Sequence, residues 1–318
     1  MKDDKLGRNV QIEGLRGFAL LLIIVYHLVC RFGQLYLAKD NLVLHYLGSS
    51  GTTIFLLITC YYLGKIAFGE GDFSYFKFLK SKILRLWPPY VISLFIIFIV
   101  LNIWVLPGRT VKISDLVLNL FWINGYVGTP YVDGSHWYLT TILSFSFIVG
   151  FFRKINISNK WWTYILWMSF GVFCKMLQIP IASNVLGNNF IGYSVIGIIL
   201  YGYIVKRKKM NIGWKITYLS AIVYIFFLTG KSYGIELFII IPIFIAAQYR
   251  KLKCFQIKGF VKLGTISYSI YLIHQNIGMT IEYQLLLKIG YYSIGYAFIA
   301  FIIIMLIGSA LYLVTEKK

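Results

Sequence analysis

The chain has 318 residues, with 31 Lys and Arg against 11 Asp and Glu, a formal net charge of +20 and 59% apolar residues; its mean hydropathy is +0.75. Soluble domains carry about 25% charged residues, whereas here only 13% are charged, and they fall between apolar runs such as GFALLLIIVYHLV and YAFIAFIIIMLIGSALYLV. An ordinary soluble domain is excluded, and so is nucleic acid as the partner of the basic excess, because there is no soluble basic face to carry it.

A spanning helix needs about 20 mostly apolar residues. In chain order ten such segments are predicted, at 14–31, 44–64, 84–106, 136–152, 161–179, 188–205, 213–229, 233–248, 260–279 and 291–314. The fold class is therefore an all-α integral membrane protein, a single transmembrane domain over 1–318 with no soluble domain. The basic N-terminus leads into an apolar run but lacks a small-residue cleavage site, so it is read as a retained first span. Residues 113–126 are too short to cross and hold Asp115 and Asn119. They are expected to lie at the interface or to re-enter.

Basic residues collect in cytoplasmic loops. With the N-terminus inside, 24 Lys and Arg fall on the cytoplasmic side and only Arg31, Lys39, Arg109, Lys112, Lys175, Lys231 and Lys288 outside. An eleventh span at 113–126 would move 15 of the 24 outside and destroy the asymmetry. Both termini are therefore expected in the cytoplasm. Cys30, Cys60, Cys174 and Cys254 show no CxxC pair, which indicates buried thiols rather than a zinc site or a disulfide framework.

Ionisable residues inside a membrane are costly and mark function. Arg16 and His27 lie eleven residues apart on the first span; in an α-helix that spacing returns to nearly the same face after a rise of about 16 Å. All four histidines, His27, His45, His136 and His274, map to the outer half under this topology, and imidazole is the side chain suited to proton transfer near neutral pH. They show no metal-ligand spacing. On the cytoplasmic side Lys82, Arg85, Trp87, Pro88, Pro89 and Tyr90 are expected to open the third span as an interfacial belt with a helix-starting proline. Arg16 and Arg85 at that depth have the guanidinium geometry to clamp phosphates of a cytosolic donor. Glu236, early in the eighth span, has no partner that the sequence identifies.

Glu13-Gly14-Leu15-Arg16-Gly17-Phe18-Ala19 followed by Val25-Tyr26-His27 resembles the opening motif of the acyltransferase 3 family, integral membrane O-acyltransferases. Further stretches resemble it in order: GSSGTTIFLLITCYY at 48–62, FLKSKILRLWPPY at 78–90, His136-Trp137-Tyr138-Leu139, and Ser267-Tyr268-Ser269-Ile270-Tyr271-Leu272-Ile273-His274. Thr315-Glu316-Lys317 also sits where family members end. The chain departs from the family at Thr59-Cys60, where many relatives have Ser-Gly, at Lys82, where they have Arg, and at Ile142-Leu143, near which they carry a Glu. The resemblance implies transfer of an acyl group, acetyl or succinyl, from cytosolic acyl-coenzyme A to a hydroxyl of a cell-envelope, exported or lipid-linked glycan. It also implies a multi-pass protein of the plasma membrane with no tightly bound cofactor. On this reading Arg16, Arg85 and Lys82 bind the donor and His27 is the general base or transient acyl carrier, while His136, Tyr138 and His274 line the acceptor pocket. No hydrolase-like extracytoplasmic domain is expected after the last span, so a separate acceptor protein is a further potential partner. The rival reading, a glycan exporter or flippase without acyl-transfer chemistry, would make the same groups substrate-path residues.

Overall fold

The computed structural model of the chain describes residues 9–317, and every regular element among them is helical. Lys2, Lys5, Arg8 and Lys318, counted in the charge asymmetry, lie outside the described residues. In chain order the helices are α1 (Val10–Val25), α2 (Phe32–Tyr36), α3 (Leu42–Ala67), α4 (Tyr75–Ile103), α5 (Ile113–Leu120), α6 (Trp137–Lys154) and α7 (Trp161–Met176). They continue with α8 (Pro180–Asn184), α9 (Ile191–Ile204), α10 (Ile212–Tyr224), α11 (Lys231–Gln248), α12 (Lys258–Thr265), α13 (Ser267–Ile289) and α14 (Ile294–Thr315).

All ten predicted segments coincide with helices, but seven are long and apolar enough to cross a membrane: Val10–Tyr36, Leu42–Ala67, Tyr75–Ile103, Gly134–Lys154, Ile212–Thr229, Lys231–Gln248 and Ile294–Thr315. The other three differ for distinct reasons. Helix α7 is 16 residues long and the apolar helix ending at Ile204 begins only at Asn188, so both fall short. Helix α13 has 23 residues but outside this set, because His274, Gln275, Asn276, Thr280 and Glu282 lower its hydropathy. The predicted ninth segment is also divided: α12 ends at Thr265 before α13 begins.

Two further expectations need correction. Helix α4 does not start at the prolines. It begins at Tyr75 and runs through Pro88 and Pro89, because the charged stretch 77–85 that hydropathy reads as a loop is itself helical. Cys30, Cys60 and Cys174 are buried as expected, but Cys254 is exposed. It lies in a short turn, Lys253–Gln256, that has no buried residue. The 113–126 segment forms the eight-residue α5, whose start is capped by Asp115 accepting from the Lys112 amide at 3.0 Å, followed by turns.

The described residues group into two compact units. The first comprises those through Thr52, then Arg85–His136, and those from Ile243 onward; the second comprises Thr53–Leu84 and Trp137–Pro242. In the first, α1 is fixed at its start by Asn9, whose side chain accepts from the Gln11 amide at 3.0 Å and donates to the carbonyls of Ala247 and Gln248 at 3.1 Å. Gln11, fully buried, donates to the Arg250 carbonyl and accepts from the Leu252 amide. The glycines beside Arg16 have a packing reason. A Cβ at Gly14 would stand 1.7 Å from the Phe255 carbonyl oxygen and one at Gly17 would stand 1.9 Å from that of Phe260. Only glycine permits this backbone approach.

The interior of the second unit is mainly apolar and aromatic, with scattered buried hydroxyl groups such as Thr53, Ser146 and Thr217. It holds a cavity of about 500 Å³ lined by Tyr75, Phe147, Trp162, Trp167, Phe170 and Ile191 among others, and by none of the predicted site residues. Glu236 belongs to this unit and accepts from the Thr53 hydroxyl at 3.3 Å, the partner the sequence did not identify.

Candidate active site

Two of the expected site residues, Arg16 and His27, lie on the continuous helical span Val10–Tyr36. At its start, the Arg16 guanidinium reaches Glu13 through Nη1 at 3.5 Å, one helical turn away, with both side chains partly exposed. This is a long contact for an ion pair. Arg16 Nε and Glu13 Oε2 are buried without a hydrogen-bond partner. Glu316, just beyond α14, accepts from the Ser269 hydroxyl in the first turn of α13. Its carboxylate also lies within the electrostatic field of Arg85 and Arg16. Burial pushes the Glu316 carboxyl above its ordinary value, while the Ser269 bond and the two arginines pull it down. Next to it, the Tyr268 hydroxyl donates to the Leu86 carbonyl at 2.8 Å, which fixes α13 to α4 one residue from Arg85. The structure thus gathers Arg16 and Arg85 in one unit. Lys82 belongs to the other, with its ammonium 5.7 Å from the Phe78 ring centre.

Beyond Val25 the helix widens into a π-helical stretch, Tyr26–Arg31, and His27 is its second residue. The same-face argument from ideal α-helix geometry therefore holds only as far as α1 extends. Such π-turns are frequent at functional sites, although a second one, Ile225–Thr229, holds no candidate site residue, and nothing in the residue types of YHLVCR announces one. The His27 ring meets the His274 ring with centroids 4.9 Å apart at 66°. Tyr26 packs on both His27 and His45, at 4.9 and 5.7 Å; His45 itself is exposed.

The ring nitrogens of the two buried histidines can be assigned from their partners. His274 Nδ1 is 2.7 Å from the Tyr271 carbonyl oxygen. Facing an acceptor, that nitrogen must carry the proton, which leaves Nε2 as a lone pair, and Nε2 is buried without a partner. His136 Nε2 is 2.8 Å from the Leu272 carbonyl oxygen, so by the same reasoning its Nδ1 is the lone pair, again buried and unpartnered. His136 also packs on Tyr90, with centroids 5.1 Å apart.

Sequence reasoning missed what holds these rings. Asp133, fully buried, accepts from the Ser135 amide at 2.9 Å and hydroxyl at 2.7 Å and from the Asn276 amide at 2.9 Å. Asn276 Nδ2 donates to the Val132 carbonyl at 2.7 Å, and its Oδ1 is buried without a partner. The Leu272 carbonyl and the Asn276 amide are the i,i+4 pair that a regular helix bonds together. Here His136 engages one and Asp133 the other. A carboxylate three positions before a histidine in a Gly- and Ser-containing turn, VDGSH, stands in the sequence, but its burial does not.

Tyr138 falls in the second unit, where its hydroxyl donates to the Phe55 carbonyl at 3.1 Å and bonds the Thr59 hydroxyl at 2.8 Å. The two bonds commit it to α3. The structure thus brings His27, His274 and His136 into one unit and leaves Tyr138 in the other. Among the described residues no group of three or more His, Cys, Asp or Glu is arranged to hold a metal ion.

An all-helical chain with several membrane-length apolar helices and a polar interior in one unit is a multi-pass membrane protein. Its sequence matches the acyltransferase 3 family pattern, described as an acyltransferase domain, over residues 9–313, and the chain belongs to that family. Comparison with curated proteins and with solved structures gives no match. Family membership makes the protein a membrane acyltransferase in general.

Proposed function

We propose that the protein transfers an acetyl or succinyl group from cytosolic acyl-coenzyme A to a hydroxyl of a cell-envelope or exported glycan, across the plasma membrane and with both termini in the cytoplasm. The observation that carries this reading is the pairing of His27 with His274, 4.9 Å apart, on the helix whose other end presents Arg16. Three buried acceptor atoms of this region, His274 Nε2, His136 Nδ1 and Asn276 Oδ1, lack a donor. Buried polar atoms need partners, and a ligand that satisfies acceptors must bring hydrogens, as an alcohol does and a phosphate or carboxylate does not.

In this mechanism Arg16 and Arg85 hold the donor phosphates through charge-assisted bonds. His27 removes the hydroxyl proton as the oxygen attacks the thioester carbonyl, and coenzyme A leaves as the thiol after taking up a proton. Passage of the acyl group through His27 is the covalent variant of the same chemistry. His136 and His274 contact the acceptor. Mass spectrometry of envelope glycans from cells with and without the protein tests this. A difference of one acetyl or succinyl mass is the expected result, whereas loss of whole glycan with unchanged acylation would favour an exporter. Reporter fusions near residues 70 and 207 should read cytoplasmic and one near 110 external; an external reading at 207 would overturn the orientation.

A further inference from the structure

A carboxylate is anchored close to the cations offered to the donor: the consecutive residues Tyr268 and Ser269 bond, respectively, the Leu86 carbonyl beside Arg85 and the Glu316 carboxylate. Glu316 is held by the Ser269 hydroxyl with Arg85 and Arg16 acting on its carboxylate, and Glu13 touches Arg16 only at 3.5 Å. The four formal charges, Arg16, Arg85, Glu13 and Glu316, cancel. At close range the donor's phosphates therefore compete with these carboxylates for the two guanidinium groups. The two glutamates are not equivalent. Glu13 lies within α1 one turn from Arg16 and moves with it, whereas Glu316 follows the last residue of α14 and is joined to the cluster through a side-chain bond 47 residues away in sequence. Arg85 is exposed and, among the described residues, forms no close ion pair. Arg16 Nε is buried and unbonded, so the fork has donor capacity that Glu13 does not use.

We propose that Glu316 is an internal competitor for the donor's phosphate, occupying the field of Arg16 and Arg85 until acyl-coenzyme A displaces it, and that it sets donor affinity and so specificity among anionic donors. No covalent step is involved: one anion replaces another on the same cations. Charge at this distance is screened by salt within about 10 Å at 0.1 M, so the competition is strongest at low ionic strength. The inference rests on the reading of Arg16 and Arg85 as the donor site. Its alternative is purely structural, with Glu316 serving only as an acceptor for Ser269.

Glu316→Gln separates the two, because the amide oxygen still accepts from Ser269 while the charge is gone. The experiment measures the apparent KM for acetyl-coenzyme A in membranes containing wild type, Glu316→Gln, Ser269→Ala and Arg16→Ala. Detergent-extracted samples are checked for a monodisperse peak, and the Ser269→Ala variant, which loosens Glu316 without altering charge, stands in should Glu316→Gln fail to fold. The expected result is a three- to tenfold lower KM for Glu316→Gln, a smaller fall for Ser269→Ala, and a difference from wild type that shrinks on raising salt from 50 to 500 mM. An unchanged or higher KM in both of these variants, with Arg16→Ala raising it, would overturn the competitor role and leave the donor site standing. An unchanged KM in Arg16→Ala would overturn the donor reading itself.

Discussion

At the Arg16 end of α1, charged atoms are partly exposed, bonded at long distance or not at all, and balanced by a carboxylate borrowed from beyond α14. Eleven residues on, around His27, the polar groups are imidazoles: His274 and His136 are buried, and each has one ring nitrogen tied to a backbone carbonyl and the other left open. The first arrangement suits a visitor that arrives with its own charge and must leave again. The second suits a reaction in which a proton moves between fixed atoms and water is a competitor. A single helix joins them, and its glycines at 14 and 17 seat the Arg16 end against the backbone at Phe255 and Phe260.

The sharpest way to break this comparison is His27→Gln. It keeps a hydrogen-bonding edge but cannot act as a base near neutral pH, so acyl transfer should fall by about 10²- to 10⁴-fold, the range for a lost general base. Donor KM should stay unchanged, as measured by initial rates over a range of acetyl-coenzyme A concentrations. Wild-type transfer by this variant would remove His27 from the chemistry. A smaller effect is expected at Asp133→Asn. Its new amide hydrogens would face the Ser135 or Asn276 donors, leaving a buried group unsatisfied at a cost of about 1–3 kcal/mol. Transfer should drop about tenfold with a lower thermal midpoint in detergent and an unaltered donor KM; a shifted donor KM would mean that the two ends are not independent. The smallest effect is assigned to Arg85→Ala, an exposed cation with Lys80 and Lys82 nearby in sequence. Donor KM should rise only a few-fold, against a larger rise in Arg16→Ala, and kcat should hold. The reverse order would move the centre of the donor site from α1 to α4.

Much of this was legible in the sequence, for physical reasons that also explain what was not. Apolar runs must be helical in lipid because no water satisfies the backbone, so the helices were readable, although only seven of the ten segments prove long and apolar enough to cross. Arg16, His27, His136 and His274 stood out because ionisable groups are rare in such runs. The π-turn at Tyr26 was not readable, since no residue type in YHLVCR favours it over an α-turn. Asp133 was hidden in a loop, where a carboxylate is unremarkable until its burial is known. Glu316 was visible as a terminal residue, but its bond to Ser269 is a long-range contact that no periodicity encodes.

Helix α13 carries a consequence for how the protein is made. A segment that enters a bilayer alone must be apolar enough to stay there and must satisfy its own backbone. Helix α13 meets the first condition poorly. It holds His274, Gln275, Asn276 and Thr280 in one stretch, all buried, and its Leu272 carbonyl and Asn276 amide are bonded by side chains from the 133–136 turn. Its stability in lipid is therefore conditional on neighbours synthesised more than a hundred residues earlier. The 133–136 turn acts as an internal receptor that waits for α13, and the buried histidine cluster does not exist until α13 has been translated and accepted.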